Sequence, residues 1–478
     1  MTSASIELVR EFGGLPDERL DRRLRAMIRS LAADPTSSFP RAFGDVAGTE
    51  AGYRFLRNPR VSPRAIVGPH IEHTWARAKT ARTVLAIEDT TEVRFRGHGT
   101  REGLGPLIND GQGFFLHAAL LVEAGTHPMP LGIAAYEVMV RDADDSRRKQ
   151  ALSNRRRHRD PHNERLRWHR VASAVARDGA AHDVSVVHVA DREADEYSLL
   201  SMLIELSQRF VIRLRFDRKT VETDEWISQL VGRAPTVLER EVAIAPRVKQ
   251  GDGRRKNKRP RLGRDAKLSV RATTVTFGRH KHHERTTLSE LQVNVVEIVE
   301  LDPPAGQEAV QWILLTTEPI TTPTDLGLVV DIYRARWLIE EYWKALKTGC
   351  AYEARQLESR RTLENALALF LPLAWNMLRL RTVARATPDA PAAAALSESL
   401  LRLLRLVADA PKNRWGLRLP PNPNSADVLR AVARMGGHLP QNGDPGWLVL
   451  SRGFDELFAL KTAAELFGSQ LFVDQSDQ

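Results

Sequence analysis

Cysteine is nearly absent, with Cys350 the single one in 478 residues. A lone thiol excludes a disulfide within the chain and any zinc site built on cysteine, which fits a reducing compartment. Long apolar runs are missing as well. No stretch is long enough to span a bilayer, and the first residues place Glu7 and Glu11 among scattered apolar positions, unlike a secretory leader. The sequence is therefore expected to be cytoplasmic, with no membrane partner. Acidic residues are short of basic ones, 60 against 70, and the resulting charge of +10 points to a polyanionic partner. No repeat of fixed period is present.

What remains is the composition of a soluble globular protein, 42% hydrophobic and 27% charged, too long for one simple core. The stretch around which the chain is organised is Asp331 to Gly349, DIYRARWLIEEYWKALKTG. On a helix, Tyr333, Arg336, Glu340, Lys344 and Lys347 fall within roughly 80° of one another. Leu338, Ile339, Tyr342, Ala345 and Leu346 gather opposite. One face can pack on a core while the other presents a carboxylate among cations. A solvated face with two i,i+4 pairs, Arg336–Glu340 and Glu340–Lys344, would look the same and contribute only about 0.2–0.5 kcal/mol per pair.

Along the chain, residues 1–70 read as a small helical unit. Leu15, Leu20, Leu24, Met27, Ile28 and Leu31 recur at helical spacing, and a second helix runs from Gly48 to a stop at Asn58-Pro59. Thr83 to Ile87 (TVLAI) reads as a buried strand leading into Glu88-Asp89, followed by strands at Phe114–Glu123 and Leu131–Val140. Residues 143–170 are strongly polar, with a run of arginines from Arg147 to Arg159 that is either a solvated loop or a phosphate contact. Val184 to Ala190 is an apolar strand ending at Asp191-Arg192-Glu193-Ala194-Asp195, where Glu193 and Asp195 compete with Asp191 on chemistry alone. Phe210–Phe216 is a further strand. Between 219 and 311 short β-prone runs read as a β-rich insertion. Within it, RVKQGDGRRKNKRPR at 247–261 has eight Lys or Arg in fifteen residues, a solubilising loop or a contact to phosphates without base preference. Trp312 opens the strand closing the insertion. Helices are expected at 356–381, at 396–408 and over most of 426–467.

The spacing Tyr-x2-Arg-x3-Glu-x6-Lys, here Tyr333, Arg336, Glu340 and Lys347, resembles the signature of the DDE cut-and-paste transposases of the insertion-sequence-four group. AGYRFLRNP at 51–59 and DREAD at 191–195 resemble the same family. The resemblance implies an α/β fold, a ribonuclease-H-like catalytic core at 71–370 with its β-rich insertion at 219–311. Helical domains flank it: a transposon-end DNA-binding domain at 1–70 and a dimerisation domain at 371–478. It implies Asp89, Asp191 and Glu340 as the catalytic and metal-binding residues. Tyr333, Arg336, Lys344, Lys347 and Arg213 would contact DNA, Trp312 would stack on a flipped base, and Arg54 and Arg57 would touch phosphates or bases. Three carboxylates without Cys or His suit Mg²⁺, with Mn²⁺ able to substitute, and two ions per site can serve an in-line phosphodiester displacement. The partners implied are transposon ends, target DNA and a second copy of the chain, in a cytoplasmic protein that joins the bacterial nucleoid when bound. The reaction implied is nicking, hairpin formation, hairpin opening and joining to target. Two other readings fit the same residues: a ribonuclease-H-like nuclease without strand transfer, and a non-catalytic DNA-binding inhibitor. The apolar stripe Trp447, Leu450, Phe454, Leu457 and Leu460 is the expected dimer contact, or else packs on the catalytic domain.

Overall fold

The computed structural model describes residues 8–97, 99–108, 111–141, 163–244, 263–279, 287–396 and 398–467. The basic runs read at 147–159 and 247–261 lie outside these residues. The chain opens with four helices, α1 (Glu18–Ala33), α2 (Phe39–Phe43), α3 (Val46–Arg57) and α4 (Pro63–Ala78). Asp17 starts α1 by accepting hydrogen bonds from the Arg19 and Leu20 amides, and Leu24, Met27, Ile28 and Leu31 bury the stripe read from the sequence.

Strands β1 (Val84–Phe95), β2 (Gly105–Pro106), β3 (Gln112–Glu123) and β4 (Met129–Met139) follow, then α5 (Leu166–Ala181), β5 (Val186–Ala190), α6 (Tyr197–Glu205) and β6 (Arg209–Arg213). Helix α7 (Ile227–Arg233) leads to β7 (Thr236–Ile244), β8 (Arg264–Gly278), β9 (Glu290–Glu300) and β10 (Gln311–Thr316). The strands make one mixed sheet in the order β2-β3-β1-β5-β6-β10-β9-β8-β7, with β4 also paired to β3. Among the described strands only β1–β5 and β5–β6 are parallel pairs; β3, β10 and their neighbours are antiparallel. The segment read as an insertion is thus continuous with the main sheet: β9 pairs with β10 from Gln311 to Thr316, carrying β8 and β7 outward.

Helices α8 (Pro323–Ala335) and α9 (Trp337–Lys344) meet at Arg336, which keeps helical dihedrals, and α9 closes in a π-type turn over Ala345–Gly349. After them come α10 (Arg360–Ala386), α11 (Glu398–Asp409), α12 (Ser425–Met435) and α13 (Trp447–Phe467). The border drawn at 370 from the sequence falls inside α10. That helix runs unbroken for 27 residues with Pro372 buried within it, and touches both the N-terminal helices and the sheet. Phe370 packs on Phe39, Asn365 donates to the Leu56 carbonyl, and Trp375 donates to the Pro130 carbonyl. One apolar cluster accordingly spans α1, β1, β3, α8, α9 and α10. A second cluster, around α12, holds Leu404, Val428, Val432 and Leu457.

Candidate active site

Strand register builds the site. Ile87 is level with Val189 in the parallel pair β1–β5, so two residues further on Asp89 stands beside Asp191. Ala190 is level with Ile212 in β5–β6, which puts Arg213 next in the same row. Parallel neighbours lie about 4.8 Å apart, and residues in one row share one face of the sheet. The sequence reading ended the first strand at Ile87. In the structure β1 runs on to Phe95 because β3 pairs with it over its whole length, so Asp89 sits within a strand, just past the end of its pairing with β5.

The Asp89 carboxyl is pushed up to about 7, first by burial and then by the charge of Asp191, against the hydrogen bond from Trp343 and the charge of Arg336. The Trp343 indole N–H reaches Asp89 Oδ2 at 3.0 Å. Asp191 Oδ1 accepts from the Glu193 amide at 2.8 Å, turning the chain sharply after β5. Glu193 and Asp195 have other work. Glu193 pairs with Arg167, whereas Asp195, 1% exposed, accepts from the Arg215 and Phe216 amides and pairs with Arg218 at 2.5 Å. The geometry therefore leaves Asp191 as the carboxylate beside Asp89.

Across this row lie α8 and α9. Arg336 donates to Glu340 Oε1 at 2.8 Å, and although burial works against its charge, Glu340, Tyr333 and Asp89 hold its pKa above the usual range. Burial raises the Tyr333 phenol against the nearby charges of Arg213 and Arg336, so it is a neutral donor at neutral pH. Burial lowers the pKa of Arg213, which donates to the Gln311 carbonyl at 2.9 Å while its Nε is buried without a hydrogen-bond partner. Trp312 is half-buried, edge-on to Tyr333 at 5.4 Å. Lys347 donates to the Glu92 carbonyl and lies 3.7 Å from Glu353; burial lowers its pKa against the charges of Glu353, Glu92 and Asp89.

Two further placements bear on the site. Lys344 does not join Glu340: it pairs with Glu341 at 2.7 Å and covers the exposed ring of Trp337 at 5.4 Å. Glu341 is also bound by Arg381 and by the Trp447 indole N–H. Nor do the three carboxylates close into one cluster. Among the described residues no group of three His, Cys, Asp or Glu side chains is placed to hold a metal ion. Glu340 instead pairs with Arg336 at 2.8 Å. Far from the row, Arg54 and Arg57 are exposed on α3, Arg57 meeting Glu358 at 3.4 Å.

The sequence reading missed Trp343, although it lies within the organising stretch, and missed the layer beneath Asp89. There Glu88, 3% exposed, meets His188 Nδ1 at 2.6 Å, and the His117 ring lies tilted against Trp168 at 4.3 Å. Burial opposes the Glu88 charge, but the two histidines outweigh it and lower its pKa. Arg167 links this layer through Thr90 at 2.9 Å to Glu193 in the Asp191 turn. The run of polar residues Glu88-Asp89-Thr90-Thr91 directly after Ile87 was the signal for a polar layer at this end of the strand.

Two family models match the chain: a transposase DNA-binding domain over residues 10–61 and a transposase DDE domain over residues 169–377. The second covers Asp191, Arg213, Trp312 and Glu340; Asp89 lies before it and joins the set through strand register. Among solved structures, a cryo-EM piggyBac transposase synaptic complex with hairpin DNA is similar at 11% identity. The likeness covers 99% of this chain and 71% of that one, with a TM-score of 0.31.

Proposed function

From the premise that this chain is a DDE transposase carrying a transposase DNA-binding domain, we propose that it binds the terminal repeats of its own element, cuts them and joins the 3′ ends to target DNA. Cleavage through a hairpin intermediate, on a ribonuclease-H-like core of the insertion-sequence-four and Tn-five type, is part of this reading. The observation that carries it is the row Asp89–Asp191–Arg213 on three parallel strands, faced by Tyr333, Arg336 and Glu340.

The donor chemistry fits a hard divalent cation. Among the described residues no side-chain cation is bonded to Asp89 or Asp191, and burial, with the charge of Asp191 added to it, drives Asp89 toward its neutral form. A 2+ charge beside it would favour the ionised carboxylate. Asp89, Asp191 and Glu340 are the residues that would hold Mg²⁺ or Mn²⁺, as two ions in the full reading. Such ions supply Lewis-acid activation of the phosphodiester and of the attacking water or 3′-hydroxyl. The chain's own groups do the positioning. Trp343 fixes one Asp89 oxygen, Tyr333 offers a hydroxyl to a phosphate oxygen, and Arg213, Arg336 and Lys347 offset phosphate charge along the scissile strand. Arg336 has Glu340 as its partner until DNA competes for it.

A cut-and-paste reaction has two ends to coordinate, so the working species in this reading is a homodimer on two DNAs. The stripe expected to make that contact is engaged within the chain. Trp447 sits in the main core with Arg381 over its ring at 4.7 Å, and Leu450 and Leu457 are buried. Pairing must use another surface or release α13. No helix of the described residues is long and apolar enough to cross a membrane. Incubation with the terminal repeats flanking the gene and Mg²⁺, read on a denaturing gel, tests the reading. Nicks, hairpins and joined products support it, cleavage without joining reduces it to a nuclease, and binding without cleavage reduces it to an inhibitor.

A further inference from the structure

Immediately beyond Arg213 the chain makes a feature that the cleavage site does not use. Residues 214–226 form a tight excursion, closed by an antiparallel bridge between Lys219 and Trp226 and by the Thr220 amide bonding the Glu225 carbonyl at 2.9 Å. It displays two large aromatic rings to solvent, Phe216 at 49% and Trp226 at 42% exposure. Each has a cation at its face: the Arg215 guanidinium lies 4.9 Å from the Phe216 ring and Lys219 Nζ 5.8 Å from the Trp226 ring. Both rings line one open cleft of about 650 Å³, with Arg165 and Arg279 on its walls.

The excursion is clamped to the active-site turn. Asp195, four residues after Asp191, accepts from the Arg215 and Phe216 amides at 2.6 and 3.0 Å and pairs with Arg218. The aromatic pair therefore keeps a fixed position relative to Asp191. Apolar ring faces left in water carry an unfavourable hydration cost, which a stacked base relieves by removing them from water.

Resting on the transposase reading, we propose that this cleft is a platform for unpaired nucleotides, taking the bases of a DNA strand separated from its complement next to the cleavage site, with Phe216 and Trp226 stacking them. The lining carries as many carboxylates as cations, Asp195, Glu196, Asp217 and Asp224 against Arg165, Arg218, Lys219 and Arg279. The platform thus depends on ring faces more than on phosphate charge, and its binding depends weakly on salt, unlike a phosphate-tracking groove.

The test uses the full chain without divalent cation and two labelled probes, an oligothymidylate of about 12 nucleotides and a blunt duplex of the terminal repeat. The double variant Phe216→Leu/Trp226→Leu should lose at least about tenfold in affinity for the single strand while duplex binding stays within about twofold. Trp226→Phe, which keeps a ring, should retain most of the single-strand affinity, and the wild-type single-strand affinity should change little with salt. Both positions are exposed, and a melting curve for each variant shows that it folds. Unchanged single-strand binding in the double variant overturns the platform, as does an equal loss on both probes or a steep salt dependence. Cleavage of the terminal repeat by wild type in Mg²⁺ is read separately. Its failure would sink the transposase chemistry and leave the probe result standing on its own.

Discussion

At the scale of single residues, Asp89 is where function and stability pull apart. Its folded pKa of about 7 lies above the unfolded value of 3.8. The folded state therefore binds more protons than the unfolded state between these values, and stability falls as pH rises through that window. The unfavourable contribution is fully developed above pH 7, where it amounts to about 4 kcal/mol at 1.36 kcal/mol per unit. Asp89→Asn removes it. In metal-free buffer the variant should melt higher than wild type at pH 8 and alike near pH 4, with the gap opening in between. A variant that melts lower at pH 8 would show that Asp89 is not under this electrostatic load. Added Mn²⁺ should raise the wild-type melting temperature more than that of Asp89→Asn, since an ion that binds only the folded state stabilises it.

The same scale separates the lysines of the organising stretch. Lys347 lies among Glu92, Glu353 and Asp89, whereas Lys344 is turned to Glu341 and Trp337. Lys347→Ala should weaken binding to a cleavable end or slow hairpin formation by about tenfold or more, the effect of one lost charge-assisted contact. Lys344→Ala should stay within about twofold, as expected for an exposed i,i+3 pair. Equal effects in a gel-shift and cleavage assay would put Lys344 back on the DNA face.

At the scale of elements, α12 and α13 cross at glycine. A Cβ on Gly453 would meet the Val432 carbonyl oxygen at 1.8 Å, and one on Gly436 would meet the Val449 oxygen at 1.8 Å. Both obstacles are backbone, so a methyl group forces the helices apart. Gly453→Ala should destabilise by about 1–3 kcal/mol and make α13 the first site of limited proteolysis. An unchanged melting curve and digestion pattern would mean that α13 does not pack on α12 in solution.

Which elements were legible follows from which forces are local. Apolar periodicity marked α1, β3, β4 and β5 because their burial is one-sided or complete over several residues. The Tyr333–Lys347 spacing placed a polar helical face, since 3.6 residues per turn is a local property. The π-type turn at Ala345–Gly349 and the pull of Glu341 on Lys344 were not legible, being set by packing against Trp447 and Arg381. Strand register is likewise tertiary. Nothing in TVLAIEDTT states that Asp89 will stand level with Asp191, or that the segment after Arg213 will extend the same sheet. The stripe at Trp447–Leu460 illustrates the limit well. Its spacing announced an apolar face, but not whether another molecule or α12 and the core would cover it.

At the scale of the whole molecule, the N-terminal helices, the sheet and the C-terminal helices meet on α10 and on a few buried polar ties. Arg355 donates to the Pro35 carbonyl at 2.8 Å and the Cys350 carbonyl at 2.6 Å, and also reaches the Ser37 carbonyl, so the DNA-binding unit is tied to the segment just after the π-type turn. Glu11 joins His70 and Arg77 at the foot of β4 in the same manner. In the proposed reading, DNA held by α3 would be coupled mechanically to the helix that carries Glu340.

The central claim is that Asp89, Asp191 and Glu340 act together on DNA although the free chain keeps Glu340 on Arg336. The most direct measurement is cleavage of a labelled terminal-repeat duplex in Mg²⁺ by wild type and by Asp89→Ala, Asp191→Ala and Glu340→Ala, with end binding measured beside it. The account predicts that each substitution abolishes nicks and hairpins while end binding stays within a few-fold of wild type. Near-normal cleavage by any one of the three would contradict it.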